Sequence, residues 1–205
     1  MRIDHVLLAS ADIDATADRL RTTYGLVSVP GGAHPQWGTA NRIVPLGGPY
    51  LEIIGIGDAA VAAGSPFGQW VRALTVDGDV LAGLMVEPDD FEATCVRLSL
   101  TPTPGARTRP DGRSLSWRLA GVAEALAHGR PCFISWDGRD EVFDGDAGVG
   151  ASGIARVDLG GDAAELTAWL DGPVDGLRLV GGAPGVRRLT IRTGKGDLAL
   201  PERPA

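Results

Sequence analysis

The sequence predicts an α+β protein built from repeated β-α-β-β-β modules. Three observations predict it. The segment Asp12-Ile13-Asp14-Ala15-Thr16-Ala17-Asp18-Arg19-Leu20 recurs as Asp90-Phe91-Glu92-Ala93-Thr94-Cys95-Val96-Arg97-Leu98, with Asp, Ala, Thr, Arg and Leu kept in place. Each copy follows an apolar, strand-like run and reads as the start of a helix. A fainter third copy spans Asp162 to Leu170. Self-similarity of this kind means one supersecondary unit used more than once.

The elements follow in order. Ile3 to Ala9 is a strand, with period two placing Ile3, His5, Leu7 and Ala9 on one face and Val6 and Leu8 on the other. Ser10 or Asp12 caps a helix whose apolar side is Ile13, Ala17, Leu20 and Tyr24, and Gly25 stops it. A short strand near Leu26–Val29 precedes a loop, Gly31-Gly32-Ala33-His34-Pro35-Gln36. Asn41–Leu46 and Tyr50–Ile56 are strands about a Gly47-Gly48-Pro49 turn. Ser65-Pro66 opens a connecting helix, with Ser as cap and Pro at the first position, burying Phe67, Trp70, Val71 and Leu74.

The second module repeats the order. Leu81–Val86 is a strand, Asp89 or Asp90 caps a helix to Leu98, and Ser114–Ala120 and Pro131–Trp136 are strands. The last third holds Ile154–Leu159, a helix over Ala163–Leu170, and strands at Gly176–Val180, Val186–Arg192 and Asp197–Leu200. Gly181-Gly182-Ala183-Pro184-Gly185 reads as a hairpin turn. The Gly/Asp-rich stretch Asp137–Ser152 is a boundary, and Glu202–Ala205 a frayed tail. The organisation is therefore 1–60, first module; 61–79, connecting helix; 80–137, second module; 153–200, a shorter C-terminal module.

Composition excludes several function classes. The chain has 205 residues, 44% of them apolar and 22% charged, as an ordinary globular protein does. Its net charge of −7 argues against nucleic acid and anionic membranes as partners, since both reward clustered Lys and Arg. No apolar run approaches the roughly 18 residues of a membrane span. Met1-Arg2-Ile3-Asp4-His5 enters a strand directly, without a secretory leader, and Cys95 and Cys132 have neither metal nor redox spacing, so a cytoplasmic location is expected.

Four segments together resemble the glyoxalase-like domain proteins of the vicinal oxygen chelate (glyoxalase/bleomycin resistance/dioxygenase) superfamily: Ile3-Asp4-His5-Val6, Asp12-Ile13-Asp14, Trp37-Gly38-Thr39-Ala40-Asn41-Arg42 and Tyr50-Leu51-Glu52-Ile53-Ile54. The resemblance covers roughly residues 2–137. It implies a vicinal oxygen chelate fold, in which the curved mixed sheets of paired modules form an open cleft. In metal-dependent members, His, Gln or Glu on the first and last strands of each module hold a divalent ion, which acts on the substrate as a Lewis acid.

Carried over residue by residue, the resemblance assigns His5 and Glu52 as ligands in the first module. In the second module Gly83 aligns with His5 and Phe133 with Glu52, so a four-ligand site is absent. The remaining half-site, His5 and Glu52 with loop residue His34 as a third ligand, would hold one divalent metal (Zn, Ni, Mn or Fe) or none.

Glu52 is also singled out by the residues alone, since an unpaired carboxylate in an apolar strand is costly to bury. It is a metal ligand or general base, or else a structural partner of Arg42 or Arg118. His5 alone reads equally as a hydrogen-bonded core residue. Trp37, Asn41, Tyr50, Trp117, Phe133 and Ser135 are candidate ligand-binding residues on an aromatic-walled cleft. His128 reads as a solvated turn residue.

Two functions are expected. One is a glyoxalase-like enzyme that binds a small oxygenated metabolite, with metal-assisted lyase, isomerase or dioxygenase-type chemistry, or with Glu52 shuttling a proton without metal. The other is a non-catalytic protein that sequesters a small molecule at a degenerate metal site. Because two modules lie in one chain, a monomer can complete the cleft, and a homodimer is the alternative.

Overall fold

A computed structural model describes residues 1–108, 112, 114–138 and 147–200. Half of the Gly/Asp-rich boundary, residues 139–146, and the tail from Glu202 lie outside the described residues. The first module comprises β1 (Arg2–Ala9), α1 (Ile13–Tyr24), β2 (Val29–His34), β3 (Thr39–Pro45) and β4 (Tyr50–Ile56). Two helices connect it onward, α2 (Ala59–Gly64) and α3 (Pro66–Leu74). The second module holds β5 (Val80–Glu87), α4 (Phe91–Leu98), β6 (Thr103–Thr108), β7 (Ser114–Ala120), α5 (Val122–His128) and β8 (Cys132–Asp137). The C-terminal unit holds β9 (Gly153–Gly160), α6 (Ala163–Leu170), β10 (Leu177–Val180), β11 (Gly185–Thr193) and β12 (Gly196–Leu200).

The repeated segment has a common local cause. In each copy an Asp is the N-cap, and its carboxylate accepts from the third amide of the helix: Asp12 from Ala15 at 3.0 Å, Asp90 from Ala93 at 2.9 Å, Asp162 from Glu165 at 2.9 Å. α1 ends at Gly25, whose φ of 71° is left-handed backbone that glycine adopts without strain.

The two modules close into an eight-stranded barrel in the order β1-β4-β3-β2-β6-β7-β8-β5. Each contributes four strands in the same sequence, with its first and last strands parallel. One seam is the antiparallel β1–β5 pair, and the other is a single pairing of Ala33 with Thr108. The cleft implied by the family resemblance is thus the interior of a closed barrel.

Side chains sort onto the two surfaces of that barrel by strand alternation. Val6, Leu8, Leu51 and Ile53 point outward and pack with Ala17 and Leu20 of α1. Leu7, Ile54, Met85, Trp117, Leu119 and Ile134 fill the interior.

Several elements differ from the sequence reading. A register shift between Ile3 and His5 puts a bulge at Asp4. Ile3 therefore joins the outer core with Val6 rather than sharing the face of His5. Gly31–His34 is strand, not loop: Pro and two glycines suggest a break locally, but pairing with β3 and β6 overrides them. α2, β6 and α5 are additional elements, and His128 lies in the last turn of α5.

The C-terminal unit keeps the element order of a module but not its pairing. Its sheet runs β10-β9-β11-β12, with the first strand inside rather than at the edge. Residues 181–185 consequently cross over β9 to join β10 to β11, and do not form a hairpin. The inner face of this sheet, with Val157, Leu159, Leu189 and Ile191, packs into the outer core of the barrel.

Candidate functional site

The barrel encloses a cavity of about 40 Å³, room for a few waters or a small ligand group. Its wall is mostly apolar and aromatic, with Trp37, Tyr50, Phe67, Trp117 and Trp136 among the lining residues. Two imidazoles, a carboxylate and a guanidinium face it, from His5, His34, Glu52 and Arg107. Trp117 sits centrally, with ring centroids 6.4 Å from Trp37, 5.2 Å from Trp136 and 5.9 Å from His34.

His5 occupies the polar centre. Its Nδ1 lies 2.6 Å from Asp4 Oδ1 and its Nε2 lies 3.2 Å from Glu52 Oε2. The bulge in β1 brings Asp4 to the same side as His5, which strict alternation forbids. Tyr50 stacks on the imidazole at 4.3 Å with an interplanar angle of 18°. Asn41 Nδ2 donates to the other Glu52 oxygen at 2.8 Å, fixing the carboxylate plane.

The electrostatics follow from this geometry. Burial alone would push His5 down, but its hydrogen bonds and charge interactions with Asp4 and Glu52 outweigh that and raise it from 6.5 to about 9. Burial alone would push Glu52 up, but the hydrogen bond and charge of His5, aided by His34 and Asn41, hold it down near 2. At neutral pH the centre is therefore an imidazolium between two carboxylates. His34 is shifted down by burial, against the pull of Glu52 and with the aid of the positive charges of Arg107 and His5, so it stays neutral. Its Nδ1 is 3.0 Å from Thr39 Oγ1.

The structure gathers His5, His34, Trp37, Asn41, Tyr50, Glu52 and Trp117 at or beside the cavity. It does not gather Phe133 and Ser135. Phe133 is fully buried in the outer core, its ring 5.6 Å from that of Trp169, and Ser135 shares its outward face. The inward residues of β8 are Cys132, Ile134 and Trp136. The alignment of Phe133 with Glu52 is thus one residue out of step, and a one-residue slip in a strand moves every side chain to the opposite face. Arg42 and Arg118, the structural partners considered for Glu52, bind Asp14 and Glu92 instead.

Sequence reasoning missed Asp4, Arg107 and Met85. Asp4 is 1% exposed, and only its proximity to His5 in sequence signalled it. Arg107 lies on a strand that Pro104 and Gly105 obscured.

The donor set does not fit the divalent ion that the family resemblance implies. Both His5 nitrogens already face carboxylates. The second module brings Met85 and Ile134 to the cavity, and neither is a donor for a hard or borderline divalent ion. Among the described residues, no three His, Cys, Asp or Glu side chains converge to hold a metal.

Paired modules around a polar-centred cavity define a protein of the vicinal oxygen chelate type. The chain belongs to the glyoxalase-like domain family, whose model matches residues 3–173. A hypothetical protein from Staphylococcus aureus has the same fold, with a TM-score of 0.66 at 14% identity over 97% of this chain and 84% of that one. Methylmalonyl-CoA epimerase from Mycobacterium tuberculosis gives a TM-score of 0.46 at 18% identity, over 66% of this chain and 86% of its own. A variant of the Streptomyces coelicolor epimerase in complex with 2-nitronate-propionyl-CoA gives 0.48 at 18% identity, over 71% and 99%. No curated protein matches. Among the described residues no helix is long and apolar enough to cross a membrane.

Proposed function

We propose that the barrel binds a small carbonyl metabolite and moves a proton on the carbon beside its carbonyl, using His5 and Glu52 without a metal. The observation behind this reading is the Asp4–His5–Glu52 relay at a cavity whose wall is mostly apolar and aromatic. Asp4 fixes the imidazolium, as a buried carboxylate fixes a catalytic histidine elsewhere. A carbonyl oxygen of the ligand takes the Nε2–H bond from Glu52. Losing that bond removes the main influence holding Glu52 down, so the carboxylate regains basicity next to the ligand.

The C–H bond then breaks, its proton passing to Glu52 and its electron pair to the carbonyl oxygen. The resulting enolate is stabilised by His5 Nε2–H in a low-dielectric site. Exchange of the Glu52 proton with water and its return to the same carbon, as the electron pair moves back from oxygen, completes a hydrogen exchange.

The test is deuterium incorporation in D2O, followed by NMR, with pyruvate, methyl pyruvate, dihydroxyacetone and acetoin. Native protein accelerates exchange at the α-carbon of at least one of them. Glu52→Gln lowers that rate by about 100-fold or more. Exchange that persists in Glu52→Gln at the native rate rules the reading out. A second reading, sequestration without chemistry, is favoured by the depressed state of Glu52, a weak base as long as His5 holds it. Saturable binding with no exchange in the native protein would select it.

A further inference from the structure

The geometry points to Arg107 as a specificity residue that makes this a site for a small carboxylate-bearing carbonyl compound; the inference rests on the proton-transfer reading of the same cavity. Arg107 is a charged side chain only 5% exposed, and it lines the cavity. β6, which bears it, lies four places from β1 around the eight-stranded barrel. Arg107 therefore faces His5 across the cavity, with the aromatic wall between them. The polar groups are thus a fixed imidazolium–carboxylate pair on one side and a guanidinium on the other.

The chain is shaped to put the guanidinium there. Arg107 Nη1 donates to the carbonyl of Gly31 across the seam where β2 meets β6. That approach needs the two glycines. A Cβ on Gly32 would lie 2.7 Å from the Thr108 carbonyl, and one on Gly31 would drive into Asn41, the residue that orients Glu52. The Gly-Gly step so positions both ends of the site.

A guanidinium presents a planar fork of donors that matches a carboxylate and holds it more strongly than neutral partners do. Burial of Arg107 in the cavity wall lowers the local dielectric and so strengthens a charge-assisted bond made there. A ligand with a carboxylate at Arg107 and a carbonyl oxygen at His5 spans the cavity and presents its α-carbon to Glu52. Small oxo acids have that arrangement.

Pyruvate and methyl pyruvate test the point, since they share a skeleton and differ in charge. Their dissociation constants would be measured by NMR titration at pH 7, on native protein and on Arg107→Gln, with circular dichroism to confirm folding. Native protein is expected to bind pyruvate at least about tenfold more tightly than methyl pyruvate. Arg107→Gln is expected to erase that preference and leave methyl pyruvate within about twofold of its native value. Arg107→Lys, which keeps the charge without the fork, retains part of the preference and serves if the Gln variant does not fold.

Equal affinities in the native protein, a preference that survives in Arg107→Gln, or no saturable binding of pyruvate would each overturn the inference. Its failure is separable from that of the proton-transfer reading. Glu52→Gln should abolish deuterium exchange yet keep the preference for pyruvate, so loss of one behaviour without the other identifies which assignment is wrong.

Discussion

Asp4 and Trp136 are joined by a 3.0 Å hydrogen bond from the indole Nε1 to Asp4 Oδ2. The bond links the bulge of β1 to the last strand of the second module. It also leaves Asp4 Oδ1 aimed at His5. Asp4→Asn keeps the shape and removes the charge. The expected result is a His5 titration midpoint at least about one unit below the native value near 9, because a hydrogen-bonded anion has been lost. NMR of the imidazole nitrogens across the pH range reads this directly. An unchanged midpoint would mean that Glu52 alone sustains the imidazolium.

Stability should depend on pH in two windows with opposite signs. His5 is raised from 6.5 to about 9, so its contribution is complete below pH 6.5 and is lost as pH rises through 9. Glu52 is lowered from 4.5 to about 2, so its contribution is complete above pH 4.5 and fades as pH falls toward 2. The two shifts overlap in the His5–Glu52 interaction, while His5 is raised by Asp4 as well, so they are not added. Urea unfolding should thus show this pair at full strength between pH 4.5 and 6.5 and a decline by pH 9.5. In Glu52→Gln the alkaline decline should still begin near pH 6.5 but end at lower pH and be smaller, since a group that raises His5 is gone.

The sequence made the frame readable because its signals were local. Asp caps, the Gly25 stop and the alternation in Tyr50–Ile56 each act within a few residues, and the repeat announced them twice. Glu52 stood out because a lone carboxylate in an apolar strand demands a partner. The rest of the site depended on relations between distant residues. The Asp4 bulge is defined only by pairing with β5, and Arg107 enters the cavity only because Gly31 and Gly32 admit β6. The C-terminal unit shows the same limit: its element order was legible, but the position of β9 inside the sheet is set by β10 and β11 pairing on either side of it.

Removing the two halves of the buried pair should not cost the same. His5→Leu leaves Asp4 and Glu52 as two buried carboxylates with no cation between them. Breaking a buried pair in this way costs about 3–5 kcal/mol. Glu52→Leu leaves the imidazolium with Asp4 and strands the His5 Nε2–H and the Asn41 amide, a loss of about 1–3 kcal/mol. Denaturant unfolding of both variants at pH 7 measures the difference. Lowering the pH toward 4 should narrow it, because the stranded carboxylates of His5→Leu gain protons. A larger loss for Glu52→Leu would show that the carboxylate, not the histidine, anchors the centre.

Phe133 and Trp117 separate structure from ligand binding, since they sit on opposite surfaces of the same barrel. Phe133 is fully buried outside the barrel wall against Trp169, so Phe133→Ala opens a hole in the outer core. It should cost about 3–5 kcal/mol of stability and leave ligand affinity within about twofold in whatever fraction stays folded. Trp117 lies inside, between Trp37 and Trp136. Trp117→Phe keeps an aromatic ring but shortens the wall, and should weaken binding several-fold at a smaller cost in stability. Thermal unfolding and NMR titration with pyruvate, run on both variants, give the two readouts. The pattern reverses if β8 is inverted by one residue, because Phe133 would then face the cavity and Ile134 the outer core. The pair of variants therefore tests the register of the second module as well as the wall of the site.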